Sequence, residues 1–263
     1  MLSKLRPPLI TLLTDFGMKD HFVGVMKGVI ASIAPAARVI DITHEVEPYA
    51  VSQARFLLGQ SWPYFPKGSI HLAIVDPGVG SSRRPILVQA QGHTFVGPDN
   101  GLFSDLLEAP HVKTRLISNR KFMLGEVSST FHGRDVFAPI AGWLAHGVAA
   151  SHFGPPIADA TVIPDRGIQS SLGRWTGEVV HVDHFGNLTT NLPASCVARS
   201  DSFILKIAAL ELREISPSYS AMAPRAPAIV LGSSGFLEIA VNQDSAARLL
   251  GLGVGARVEL SLE

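Results

Sequence analysis

The apolar run Ala73–Val75 stops on a carboxylate at Asp76, and after a tight glycine turn two guanidinium groups follow at Arg83 and Arg84. At the end of a buried strand such a pair meets little water, so its charges can act on a reacting atom far more strongly than at the surface. A second set, "STFHGRDVF" over Ser129–Phe137, puts His132, Arg134 and Asp135 at a helix start. A third, "VDHFGNLTTN" over Val182–Asn191, places Asp183, Phe185 and Asn187 on one side of an extended segment by alternation. Acid, aromatic ring and amide on one face suit an amine, a base ring and the edge of that ring. A fourth, "GSSGF" over Gly232–Phe236, offers two hydroxyls in a glycine turn.

Each set also has a plain structural account. Asp76 can cap a strand-end turn. Asp135 can serve the positive end of a helix dipole, with His132 at the surface. Phe185 can belong to the core while Asp183 and Asn187 shape a turn around Gly186, and "GSSGF" is ordinary hairpin chemistry.

Several familiar sites are excluded. Gly78-Val79-Gly80 opens like a dinucleotide fingerprint, but the third glycine position is Arg83 and the segment runs into a strand rather than a helix. No Walker lysine follows. His132 lies outside an H-E-x-x-H frame and the chain has a single cysteine, Cys196, so no zinc site is expected. The remaining histidines are scattered and read as structural.

The elements that must carry these residues alternate between strand and helix. "LITLLTD", "RVIDIT", "SIHLAIVD", "PILVQAQG" and "HTFVGPD" read as strands. After Gly17, Phe22, Met26, Val29 and Ile33 form one helical stripe, with Asp20 as N-cap and Pro35 as stop. A second helix, "AVSQARFLLGQSW", turns Val51, Ala54, Leu57 and Leu58 inward, and "GLFSDLLE" is a short one. "GRDVFAPIAGWLAHG" reads as a long helix bent at Pro139. This pattern predicts an α/β domain with a mostly parallel sheet over residues 1–168. In such sheets ligands collect beyond the carboxyl ends of strands, and Asp15, Asp76 and Asp99 all fall at such ends. From Trp175 onward the chain reads as strands, with only "DSAARLLG" helical, so a small all-β, barrel-like domain is expected over residues 169–263.

The 263 residues carry 46% hydrophobic and 17% charged residues and a formal net charge of zero. That balance fits a compact fold and gives no basic field for nucleic acid or an anionic membrane. No apolar run approaches the ~20 residues of a membrane span. The lone cysteine and the early Asp15, too soon for a secretory h-region, point to a cytoplasmic protein.

In order along the chain, "LTDFGMKDHFVGVMKG", "DITHEVEP", "IVDPGVGSSRR", "VGPDNGLF", "STFHGRDVFAPIA", "DHFGNLTTN" and "SSGFLEIAVN" resemble the S-adenosyl-L-methionine (SAM) hydroxide adenosyltransferases, the adenosine-forming SAM hydrolases related to fluorinase and chlorinase. The resemblance covers nearly the whole chain. It implies an α/β N-terminal and a barrel-like C-terminal domain, a homotrimer with sites between subunits, and the reaction of water with SAM to give adenosine and methionine. SAM is then substrate, with no cofactor and no metal. By position, Asp76, Arg83 and His132 match the water-handling triad and Asp15 the ribose-diol ligand. Asp183 matches the contact to the methionine amine, Ser233 the amino-acid end, Asn187 the adenine edge and Phe185 the aromatic beside the base. Tyr49 falls where the halogenases carry a tryptophan against the ribose. Ser234 stands where they carry an arginine, and Asn242 closes the last block as a further substrate-binding position.

The departures from the halogenases, Asp76 in place of a tyrosine and His132-Gly133 in place of Tyr-Ser, favour water over halide. A 5′-halogenase and a nucleoside- or SAM-binding protein without turnover remain the competing readings. Whether His132 acts as base or Arg83 selects hydroxide is open at this level.

Overall fold

The computed structural model describes residues 7–164, 167–197 and 202–263. The chain divides into two compact units at Ile163 and Pro164.

The first unit runs β1 (Leu9–Thr14), α1 (Phe22–Ile33), β2 (Arg38–Thr43), α2 (Val51–Ser61), β3 (Ile70–Ile74), β4 (Pro85–Ala90), β5 (His93–Pro98), α3 (Ser104–Leu107), β6 (Lys113–Leu116), α4 (Ala138–Ala145) and β7 (Pro156–Ile157). The central strands β1 and β3 are rich in apolar residues and buried along nearly their whole length because both faces are covered. Ile10, Leu12, Leu72 and Ile74 pack with Met26 and Ile30 of α1 and Ile140 of α4. The alternate residues Leu13, Ala73 and Val75 pack with Ala54 and Leu58 of α2 and Leu106 of α3. Each fully buried Leu or Ile contributes about 1.5–3 kcal/mol of apolar transfer.

The sheet order is β2-β1-β3-β5-β4-β6-β7. The pairs among β2, β1, β3 and β5 are parallel, and those joining β5, β4, β6 and β7 are antiparallel. The sheet is therefore mixed, not mostly parallel as expected. The cause is local. Ala90 pairs with His93 across the two-residue turn Gln91-Gly92, whose φ values are 54° and 84°. Two left-handed residues between paired strands make a hairpin whose twist suits an antiparallel pair, and no helix can fit in so short a link. One consequence matters for function. The chain leaves β3, reverses through residues 76–84 and re-enters as β4 beyond β5, so the ends of β1, β3 and β5 and the start of β4 meet at one end of the sheet.

Two helical details differ from expectation. Helix α1 begins after His21, with no side-chain cap, so Asp20 is not its N-cap. Its buried stripe is Val23, Met26 and Ile30, one residue round from the expected face. The expected long helix is a π-helical turn over Gly133–Phe137 that runs directly into α4, with Pro139 in the first turn of α4.

Histidines placed in the scaffold are structural. His71 is fully buried, bonds Thr11 Oγ1 at 2.8 Å through Nδ1 and faces His93 Nδ1 at 3.1 Å. Burial, with a smaller push from His93, drives its pKa down to about 3, so it stays neutral.

The second unit contains β8 (Gln169–Ser171), β9 (Arg174–Val182), β10 (Leu188–Pro193), β11 (Phe203–Ile207), β12 (Leu210–Leu212), β13 (Ile215–Ser216), β14 (Pro227–Leu231), β15 (Phe236–Val241), α5 (Ala246–Leu250) and β16 (Arg257–Leu262). They form one nine-stranded sheet along the path β12-β11-β16-β9-β10-β15-β14-β13, with β8 on β9. Among the described residues β12 and β13 end that path without pairing to each other, so the sheet stays open rather than closing as a full barrel. No helix among the described residues is long and apolar enough to cross a membrane.

Candidate active site

The turn after β3 is built from its own residues. Val79 N–H donates to the Asp76 carbonyl, Ser81 Oγ donates to the Gly78 carbonyl at 2.7 Å, and Arg83 N–H donates to Ser81 Oγ. Gly80 has φ +77°, and a Cβ there would lie 2.3 Å from the Ser129 carbonyl oxygen. Only glycine allows this turn to press on the segment that carries His132. That segment is held from below by Asp135, which is fully buried and whose carboxylate accepts from Ser128 N–H at 2.8 Å and Arg134 Nε at 2.6 Å. Asp135 thus anchors the preceding loop rather than merely facing a helix dipole.

These supports bring Asp76, Arg83 and His132 together. Arg83 Nε donates to Asp76 Oδ1 at 2.9 Å and Nη2 donates to Asp76 Oδ2, a two-pronged guanidinium–carboxylate pair. The side chains are only 9% and 5% exposed. The same Nη2 lies 2.6 Å from His132 Nδ1. A guanidinium only donates, so Nδ1 is the acceptor and the neutral ring carries its proton on Nε2. Burial, reinforced by the Arg83 charge, holds the His132 pKa below the ordinary histidine value. Arg83 Nη1 is buried and has no hydrogen-bond partner among the described residues. An unpaired buried donor on a charged group is costly, and it marks the place for an oxygen of a ligand.

The three strand-end aspartates have different fates. Asp15 is half-buried and accepts from Tyr49 N–H at 2.9 Å; burial, with the charge of Asp76 adding to it, raises its pKa. Tyr49 has φ +69° and a side chain left exposed. Asp99 is structural. It accepts from Arg84 Nε at 2.8 Å and Thr161 N–H at 2.7 Å, and Arg84 also reaches Asp159 at 2.8 Å, which straps the end of this unit to the sheet.

In the second unit Asp183 organises the turn between β9 and β10. Its Oδ1 accepts from Phe185 N–H at 2.9 Å and Asn187 N–H at 2.8 Å, and its Oδ2 from Asn187 Nδ2 at 2.9 Å. Phe185 is 74% exposed and is not core. Asp183, Phe185 and Asn187 line a cavity of about 860 Å³ together with Tyr219, Asp244 and Arg248. Tyr219 donates to Glu238 at 2.9 Å, and burial, with Glu238 adding to it, pushes the phenol up to about 12.

Other expected positions are placed differently. Ser233 and Ser234 sit in the hairpin between β14 and β15, away from the lining of that cavity, and Ser234 Oγ is buried without a partner among the described residues. Asn242 Nδ2 donates to the Met222 carbonyl at 3.2 Å, which ties down a loop. Tyr219, Asp244 and Arg248 escaped the sequence reading, since "SYS" and "DSAAR" carry no motif and only the fold places them on one cavity. No group of three His, Cys, Asp or Glu among the described residues could hold a metal ion.

Fold and site define a two-unit α/β and β protein with a part-buried carboxylate–guanidinium–imidazole set at a strand end and a polar-aromatic cavity in its β unit. Residues 10–154 match the SAM hydroxide adenosyltransferase N-terminal domain and residues 177–259 its C-terminal domain. The chain is 37% identical over 263 residues to the (R)-S-adenosyl-L-methionine hydrolase of Salinispora tropica, covering 97% of this chain and 98% of that one. A solved structure of an uncharacterized conserved protein from Thermotoga maritima superposes with a TM-score of 0.89 at 36% identity, covering 96% of this chain and 99% of that one. A fluorinase from Actinopolyspora mzabensis is more distant, 24% identical and covering 97% of each chain. The chain belongs to the SAM hydroxide adenosyltransferase family.

Proposed function

We propose that the protein is a SAM hydrolase acting on the (R) epimer, which gives adenosine and L-methionine. The observation that carries the mechanism is the unpaired Nη1 of Arg83 beside a paired Asp76 and a neutral His132. Hydroxide oxygen forms a bond to C5′ as the C5′–S bond breaks. The electron pair goes to sulfur, which leaves as a neutral thioether, and the other proton of water passes to solvent.

Water has a pKa near ~15.7, so the site must favour its anion. Arg83 Nη1 donates to the oxygen, and the Nε2–H of His132 is a second donor. His132 Nδ1 is occupied by Arg83, so in this geometry His132 serves as partner of Arg83 and hydrogen-bond donor rather than as base. Asp76 balances the guanidinium, so Asp76, Arg83 and neutral His132 carry no net charge. Such a set suits an oxygen that needs donors better than a free halide that needs a positive pocket. Charge is annihilated in the transition state, and a site that excludes water favours that.

Asp15 takes the ribose diol with Tyr49 beside it. Phe185 and Asn187 take adenine, Asp183 the ammonium, and Ser233 and Ser234 the amino-acid end. The protein works in the cytoplasm as a homotrimer with sites between subunits, and sedimentation equilibrium at micromolar concentration reads three chain masses. A monomer there removes the shared site.

The test is incubation with SAM in ¹⁸O-water. Adenosine and methionine form, the label enters the adenosine 5′-hydroxyl only, and EDTA leaves the rate unchanged. Unaltered SAM identifies a binding protein, 5′-chloro-5′-deoxyadenosine with added chloride identifies a halogenase, and a specific divalent ion restoring an EDTA-sensitive rate overturns the metal-free mechanism.

A further inference from the structure

His44 is 3% exposed, lies just beyond β2 and takes no part in the chemistry above. Its Nδ1 is 2.8 Å from Thr14 Oγ1, the hydroxyl of the residue before Asp15. Thr14 Oγ1 also accepts from Phe16 N–H at 3.2 Å, and the His44 carbonyl accepts from Gly17 N–H at 2.8 Å. His44 therefore holds the residue before Asp15 through its ring and the second residue after it through its carbonyl, while Thr14 Oγ1 holds the first residue after it. On its other side Nε2 faces Asp41 Oδ1 at 3.1 Å, off the line of a hydrogen bond, and Asp41 Oδ2 is held by Lys27 Nζ at 2.6 Å.

The carboxylate of Asp41 favours the proton on Nε2. Nδ1 then accepts from the Thr14 hydroxyl, which in turn accepts from Phe16 N–H, so this chain of hydrogen bonds runs in one direction. Five residues after His44, Tyr49 N–H binds the Asp15 carboxylate itself. Residues 44–49 thus grip the backbone of the Asp15 turn at one end and its carboxylate at the other.

We propose that His44 is a positioning residue that fixes the aim of the Asp15 carboxylate at the ribose diol; this rests on the assignment of Asp15 to the diol made above. A carboxylate in a strand-end turn can receive two hydroxyls only if its backbone does not swing, and the His44–Thr14 link is what stops it.

The test is calorimetric titration of the full chain with adenosine and with 2′,3′-dideoxyadenosine, which has no diol. His44→Ala weakens adenosine binding about tenfold, near the worth of one well-aimed hydrogen bond, and changes dideoxyadenosine less than about twofold. His44→Asn recovers most of the adenosine loss, since its amide reaches the place of Nδ1 and pairs with Thr14. Combined with Asp15→Asn, His44→Ala adds nothing further. In turnover, KM for SAM rises while kcat holds.

Equal losses for both ligands, or no loss for either, overturn the positioning role. A wild-type protein that neither binds adenosine nor cleaves SAM fails the functional reading and takes this role with it. A wild type that does both beside an indifferent His44→Ala overturns the positioning role alone.

Discussion

Arg83→Ala lowers kcat for SAM cleavage by about 10²–10³-fold while the Kd for SAM stays nearly unchanged. The contact removed is made to the nucleophile and strengthens as hydroxide character develops, so the loss falls on the chemical step. Arg83→Lys does not restore the rate. A single ammonium cannot bridge both oxygens of Asp76, the Nδ1 of His132 and a water together, whereas the guanidinium makes the first three contacts with Nε and Nη2 and keeps Nη1 spare. Arg83→Ala also strands Asp76, a carboxylate only 5% exposed, and an unpaired buried charge costs about 3–5 kcal/mol. The paired change Asp76→Asn with Arg83→Gln removes both charges and serves as the folded control, with the same loss of kcat. His132 sets the acid limb. Protonation of Nδ1 takes away the acceptor for Nη2, so kcat falls as the pH drops through a pKa lying below the ordinary 6.5. Single-turnover rates with separate titrations measure all of this. A kcat within tenfold of wild type in Arg83→Ala removes Arg83 from the nucleophile and leaves residues 76–84 as a structural turn.

Asp183 separates two roles that coincide in one side chain. Asp183→Ala deletes three hydrogen bonds that shape the turn bearing Phe185 and Asn187. At about 1 kcal/mol each or more, their loss weakens adenosine and SAM alike, by about 10²-fold. Asp183→Asn keeps an oxygen for the two backbone N–H groups but discards the charge and the acceptor for Asn187 Nδ2. Adenosine, which has no ammonium, then weakens by no more than about tenfold, the worth of that one hydrogen bond, while SAM loses about 10–100-fold further, the worth of a charge-assisted hydrogen bond. Equal affinities of Asp183→Asn and wild type for SAM assign Asp183 to the turn alone.

Much of the scaffold was legible because it follows local rules. The strands ending at Thr14, Ile74 and Pro98 are short β-prone runs closed by polar residues, and the helices α2 and α3 fall where the periodicity puts them. The mixed sheet was also written locally, in Gln91-Gly92, but a two-residue turn is a weak signal beside two clear strands. The rotation of α1 by one residue was not legible. Phe22 and Val23 fit the stripe equally well on sequence, and contact with the sheet decides which is buried.

The sequence by itself determined the residue types available for chemistry, the strand ends that carry Asp15 and Asp76, and the family pattern along the chain. Backbone preference and hydrophobic period act over a few residues, so they can be seen without the fold. Tertiary structure decided everything that depends on pairs distant in sequence. Arg83 reaches His132 across 49 residues, Thr14 reaches His44 across 30, and Tyr219 meets Glu238 across 19. Whether a histidine accepts or donates depends on which partner burial presses against each ring nitrogen. Only the fold sets Arg83 against Nδ1 of His132, and so turns a candidate base into the partner of an arginine.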